Sequence, residues 1–493
     1  MKRFHTYGIA LFALAAFLLS GCTDSAPSGP TPSLGGATVT KYVSIGNSLT
    51  AGYQSNGLYA SAQAYSYPNL IAAQLKIAGA TIGTFEQPTW PDPGNPDPAT
   101  GKAARFVIIS LADPNNPIIG PAGENVTASQ PSNATTLLRP YDNLGLPGAL
   151  LAGFMDTTGL YQGGFAPAIL RSSGGFPKSV YQQILLLKQM GTTPDLVTFW
   201  LGANDVLGFA ASGGVLPAAG NKPTDAAIFG GLYLQALGAL RQALPNAKIV
   251  VATIPDVKAV PYFTTVNPKI APELAALNVD LYYQQHLESG VGSGKTRLTG
   301  AYAPLITLEG AIYAPLIGQA TGKFYTDNHF PALPAGIDTT KPFGVHPQNP
   351  FPDALILDST EQVMATNAVN DFNTAIKSAA ATNNAQVFDA FTFFNNVKAN
   401  GYSVAGETYT TDYVSGGLFS LDGVHPTSRG YAIVANQYIK VMNSSFGMNI
   451  PYVDVASIPG IPGPLGKYIA GKVVPSIPSS AFKSFERVFG VGQ

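Results

Sequence analysis

A single cysteine, Cys22, stands in the 493 residues, so no internal disulfide can brace the fold. Charge is scarce as well: Asp, Glu, Lys and Arg make up 11% of the chain, and 27 basic residues nearly cancel 28 acidic ones. Such a balance creates no long-range field to recruit nucleic acid or an anionic surface. Histidine numbers only five. His5 lies in the N-terminal segment, and His286 and His329 have no Cys or His at ligand spacing, which argues against a metal site. No cofactor is expected. What the chain has in plenty is glycine, 53, and proline, 40, the composition of a compact exported protein with long loops.

The N-terminus is a basic start, Lys2 and Arg3, then an apolar run from Gly8 to Leu19, then Leu19-Ser20-Gly21-Cys22. The run is too short to persist as a membrane-spanning helix, so residues 1–21 are expected to be a cleaved export signal. This stretch resembles a bacterial lipoprotein signal with its lipobox. The resemblance implies that Cys22 is lipid-modified and that the protein is anchored in the cell envelope, and Thr23 after it points to the outer membrane. An ordinary signal peptide with an incidental cysteine is the plainer alternative. Residues 22–40, rich in Ser, Pro and Gly, have too little apolar surface to fold and read as a flexible tether. A C-terminal extension, residues 446–493, is far too short for the roughly eight or more strands of an outer-membrane barrel.

Between these ends the hydrophobic pattern alternates. Strand-like runs at Tyr42 to Ile45, Leu196 to Leu201, Lys248 to Thr253 and Gln386 to Phe388 are separated by helical patterns at Tyr67 to Ala78, Ser179 to Met190, Ala226 to Leu244 and Ser359 to Ala380. A last helix is expected after Pro426, running to Met442. This order favours a parallel sheet with helices on both faces. Two stretches break it, about 86–140 and 257–355, both rich in Pro and Gly and too long for simple connections, so both read as insertions into one domain spanning 41–445.

Asp422-Gly423-Val424-His425-Pro426 places a carboxylate three residues before an imidazole. One turn of chain can then aim Asp422 at the His425 ring, fixing its tautomer for work as a general base. Ser48 is the candidate hydroxyl, since it follows a predicted strand and Gly46 permits the sharp turn that exposes it. Alone, a Gly-x-Ser turn equally suits a capping serine. Asn204, in Gly202-Ala203-Asn204-Asp205 at the end of another predicted strand, should face the same crevice and could donate its amide to an oxyanion, although it could also simply cap a helix. Gly148, in a Pro147-Gly148 turn after the loop from Asn143, could offer a backbone N–H.

Four segments in order, Gly46-Asn47-Ser48-Leu49, Asn143 to Gly148, Gly202 to Asp205 and Asp422 to Pro426, resemble the SGNH (GDSL) hydrolase family. The resemblance implies a three-layer α/β/α flavodoxin-like fold. It also implies Ser48 as nucleophile, His425 as base and then acid, Asp422 as the residue that orients His425, and an oxyanion hole from the N–H groups of Ser48 and Gly148 with the Asn204 side chain. Asn47 replaces the Asp of the family's name motif, so altered local hydrogen bonding is expected there.

The implied activity is hydrolysis of carboxylic esters through an acyl-enzyme, on a small-molecule, lipid or carbohydrate ester. A polysaccharide O-acetyl esterase and a non-catalytic surface-binding lipoprotein are the alternatives. The insertions could wall an acyl tunnel or stack on sugar rings. Two imitations are set aside. Val345-His346-Pro347 has Phe343 where the carboxylate should be, and Gly294-Lys295-Thr296 follows a helix-like run and lacks the leading glycine of a phosphate-binding loop.

Overall fold

A computed structural model describes residues 31–113, 117–287, 290–298, 300, 303–404 and 406–460. The leader 1–21 and Cys22 lie outside them. Five parallel strands form the central sheet: β1 (Tyr42–Gly46), β2 (Asn143–Gly145), β3 (Leu196–Trp200), β4 (Lys248–Ala252) and β5 (Gln386–Phe388). Their spatial order is β2-β1-β3-β4-β5. This is the flavodoxin-like order, and it reverses direction between β1 and β3, where such sheets open a crevice beyond their C-terminal strand ends.

Alternation along the strands explains the layering. Val43, Ile45, Val197, Phe199, Ile249 and Val251 enter one core, and Tyr42, Leu196, Trp200, Val250 and Ala252 enter the other. Both faces of the sheet are therefore buried, as a parallel sheet requires. The first core is completed by α3 (Val180–Gln189), α5 (Ala226–Ala243) and α6 (Ser359–Thr382); the second by α2 (Tyr67–Ile77), α7 (Ala390–Asn400) and α8 (Ser428–Phe446). Two short helices, α1 (Ser48–Ala51) and α4 (Asn204–Ala211), start where β1 and β3 end. Local signals set the boundaries: Asp358 and Glu361 close a reciprocal capping box at α6, and Ser179 caps α3 through the Gln182 N–H.

The expected strands and helices are present with ends shifted by a few residues. Four features differ from the sequence reading. Asn143–Gly145, read as loop, is an edge strand, since its three residues pair with Ser44 to Gly46. The helix-like run before Gly294 is a strand, Leu281–Leu287, in an antiparallel hairpin with Gly290–Thr296, where aromatic Tyr282 and Tyr283 favour extended chain. Part of the assigned tether is held to the body: Leu34 and Val39 are buried, Ser33 pairs with Asn449, and Thr40 bonds Asp195. The start of the C-terminal extension also packs down, with Ile450, Val453 and Val455 buried in the second core.

The two insertions are built differently. Trp90, Phe106 and Ile119 of the first join the main core, and the hairpin Phe106–Ser110 with Ile118–Pro121 rises from it. Arg171 fastens this insertion: its guanidinium lies between the Tyr141 and Phe176 rings, 4.3 and 4.1 Å away, and donates to the carbonyls of Leu137 and Arg139. The second insertion has a small core of its own, in which Val266, Ile270, Leu281, Phe343 and Phe351 are buried.

Candidate active site

Close packing places Ser48. A Cβ on Gly46 would fall 2.0 Å from Thr50 Oγ1 and 2.7 Å from the Trp200 carbonyl, so only glycine lets the chain turn from β1 directly into α1. Asn47 caps that helix, its Oδ1 accepting from the Leu49 N–H at 3.1 Å. The altered residue of the name motif thus performs a neutral N-cap. Below, the Thr50 hydroxyl meets Tyr67 Oη at 2.8 Å and Asn143 Nδ2 donates to the Thr50 carbonyl at 2.8 Å. Four residues of helix could not hold themselves; these bonds tie it to the sheet.

The Asp422 to His425 tetrad folds into a tight loop. Gly423 takes φ +73, and a Cβ there would lie 2.9 Å from Leu308 Cδ2 and 3.1 Å from the Tyr262 nitrogen. Asp422 Oδ1 accepts the N–H groups of Val424 and His425 at 2.9 and 2.8 Å. Asp422 Oδ2 lies 3.1 Å from His425 Nδ1, and His425 Nε2 lies 2.8 Å from Ser48 Oγ. All three side chains are buried, at 0, 1 and 2% exposure for Asp422, His425 and Ser48. An ionised carboxylate can only accept, so Nδ1 carries the proton and Nε2 is left as an acceptor for the serine hydroxyl. Burial alone would push the Asp422 carboxyl up, but the His425 ring and the N–H groups of His425 and Asn56 outweigh it and hold the group below its ordinary value.

One element of this site escaped the sequence reading. Residues Gln54 to Gly57 form a two-residue hairpin turn, with Ser55 at φ +49 and Asn56 at φ +62. Its two central N–H groups reach the loop: Ser55 N donates to Ser420 Oγ at 2.8 Å and Asn56 N to Asp422 Oδ2 at 2.9 Å. Just before it, the Tyr53 ring packs against the His425 ring, centroids 4.8 Å apart. Asn56-Gly57 is a recognisable turn signal, but nothing in its sequence names Asp422 as its partner.

Asn204 is the first residue of α4 and borders the same crevice as Ser48 and His425. Its Nδ2 donates to the Ala149 carbonyl at 2.9 Å, which fixes the amide and leaves its second hydrogen for another acceptor. Gly148, at φ +83, borders a second, more polar depression that also includes Asn204. Neither the Ser48 nor the Gly148 N–H donates to a described backbone acceptor. The first crevice is walled by Leu49, Trp200, Leu207, Ile254, Val260, Phe394 and Phe419. Among the described residues, the second insertion contributes Val257, Ala259 and Val260 to its lining and the first insertion contributes none.

The imitations lie elsewhere. His346 accepts from the Gln348 N–H at 3.2 Å in a loop. Lys295 sits in the hairpin, 3.2 Å from Asp280 and over the Tyr282 ring. Among the described residues no cluster of three His, Cys, Asp or Glu could hold a metal ion, and no helix is long and apolar enough to cross a membrane.

A flavodoxin-like sheet with a hydroxyl, an imidazole and a carboxylate in hydrogen-bonded series at its switch point defines the class, an α/β protein with a hydrolase-type site. A family model described as GDSL-like lipase/acylhydrolase matches residues 42–289 and 325–438, well over half of the chain, and the protein belongs to that family. The match is interrupted inside the second insertion. No curated protein and no solved structure matches the chain.

Proposed function

We propose that this member of an ester-hydrolase family cleaves carboxylic esters through an acyl-enzyme on Ser48. Ser48 Oγ attacks the carbonyl carbon while His425 Nε2 takes its proton; the C–O bond to the alcohol breaks, and the same nitrogen returns the proton to the departing oxygen. Water then gives a proton to Nε2 and attacks the acyl carbon, releasing the acid and restoring the serine hydroxyl. Asp422 keeps the ring in the required tautomer and stabilises the imidazolium that forms. The N–H groups of Ser48 and Gly148 and the Asn204 amide receive the tetrahedral oxygen, each rigid donor contributing about 3 kcal/mol in comparable sites.

The observation that supports this most directly is the 2.8 Å contact between Ser48 Oγ and His425 Nε2, with Asp422 behind the ring. Ser48→Ala and His425→Ala are expected to abolish turnover of an activated acyl ester with the fold retained by circular dichroism. Unchanged turnover in either purified variant contradicts the assignment, whereas a wild-type chain that turns over no ester points to the non-catalytic binding protein.

The N-terminal lipobox resemblance further supports attachment to the bacterial envelope, in the outer membrane, through a lipid on Cys22. In cell fractions the full chain is expected with the membrane and Cys22→Ser is expected free of it; equal membrane association of both excludes this anchor.

A further inference from the structure

Building on the acyl-enzyme reading, we infer that the apolar crevice beside Ser48 is an acyl-chain site and that the preferred substrates are esters of medium or long acyl chains rather than acetyl esters. The crevice begins at the nucleophile itself, since Asn47 and Leu49 on either side of Ser48 both line it. Its walls are hydrocarbon or aromatic: Leu49, Trp200, Leu207, Ile254, Val260 and Phe419. Beyond Asn47, Asn204 and the Ser48–His425 pair, polar side chains come only from Asp256 and Thr411, and Asp256 Oδ1 already accepts from the Lys258 N–H at 3.0 Å.

A sugar seated there would lose water from its hydroxyls without gaining partners, which opposes binding. A hydrocarbon loses nothing of the kind. An acetyl group offers the wall a single methyl, whereas each methylene seated against it gains about 0.8 kcal/mol, roughly fourfold in an equilibrium or rate constant. The acyl group is also the part that remains bonded to Ser48 after the alcohol departs, so the groove that abuts Ser48 must accommodate it. The polar depression touches neither Ser48 nor His425. It is bordered by Thr157, Gln162, Lys178 and Thr224.

A series of p-nitrophenyl esters from acetyl to decanoyl, with acetylated xylan alongside, tests the inference on the wild-type chain and on Ile254→Trp and Leu207→Trp, which fill the crevice from two sides. Labelling of Ser48 by a fluorophosphonate is measured on each protein. In wild type, kcat/KM for octanoyl is expected to exceed that for acetyl by about tenfold or more, and in any labelled variant this ratio is expected to fall by about tenfold. Strong labelling with a flat or acetyl-peaked profile, or with release of acetate from xylan as the best reaction, overturns the acyl-chain site and leaves the acyl-enzyme intact. A chain-length preference that survives in both labelled variants places the acyl group elsewhere and also overturns it. Absence of labelling in wild type overturns the acyl-enzyme and the acyl-chain site with it.

Discussion

Asp422 and Asp205 are both wholly buried carboxylates, and their surroundings push them in opposite directions. For Asp422, burial is outweighed by the His425 ring and the N–H groups of His425 and Asn56, so the folded state prefers it ionised. Its contribution to stability is present above the ordinary carboxylate range and is lost as pH falls through the lowered value. For Asp205 burial wins, despite the Leu151 N–H at 2.8 Å and the Thr224 hydroxyl at 3.0 Å, and the group is pushed up to about 6. The folded state prefers it protonated, so stability falls as pH rises from about 4 to about 6, by about 3 kcal/mol. In urea titrations across that window, Asp205→Asn is expected to lose this part of the decline; an unchanged slope in the variant contradicts the assignment. The tetrad was legible in the sequence because its carboxylate and imidazole are three residues apart. The Asn56 N–H on Asp422 was not, since 366 residues separate donor and acceptor and a backbone group leaves no side-chain signal.

Helix α1 shows how an element too short to be stable is held. Tyr67, at the start of α2, is the hub beneath it: its hydroxyl meets Thr50 Oγ1 at 2.8 Å and Ser44 Oγ at 3.2 Å, and its ring stacks on Tyr438 of α8 at 5.0 Å. Tyr67→Phe keeps the stack and, while Ser44 Oγ still accepts from Thr198 Oγ1 at 2.7 Å, strands the Thr50 hydroxyl. It is expected to cost about 1–3 kcal/mol in urea unfolding and to lower turnover, because the helix that carries Ser48 loses its anchor. Wild-type stability in that variant contradicts the role. Elements with long periodic patterns, such as α5 and α6, were legible from the sequence because burial of one stripe repeats along them. Strand β2 was not: its three residues carry no alternation, and its identity depends on pairing with β1. The strand Leu281–Leu287 was misread for a related reason, since a short run of mixed aromatic and polar residues suits a helix or a strand until its partner is known.

At the scale of the whole molecule, the flavodoxin-like strand order brings the first strand and the last helix together and leaves both insertions outside the bond-forming atoms. The parallel sheet was legible from alternation of strands and helices, and the first insertion shares the main core. The location of the insertions relative to the crevice was not legible, because it depends on which sheet edge each connection crosses. Among the described residues of the second insertion, those that reach the crevice belong to its opening turn, Val257, Ala259 and Val260. The apolar wall comes chiefly from α1, from the end of β3 with α4, from the loop after β4 and from the region after β5. The central claim is that these distant segments assemble to make an acyl-enzyme on Ser48. Its most direct test is rapid mixing with a p-nitrophenyl ester, followed by acid quench and peptide mass mapping. A burst of p-nitrophenol approaching one per enzyme is expected, with an acyl mass on the peptide that contains Ser48; ester turnover with the acyl mass on any other residue, or with none on Ser48, contradicts an acyl-enzyme at this serine.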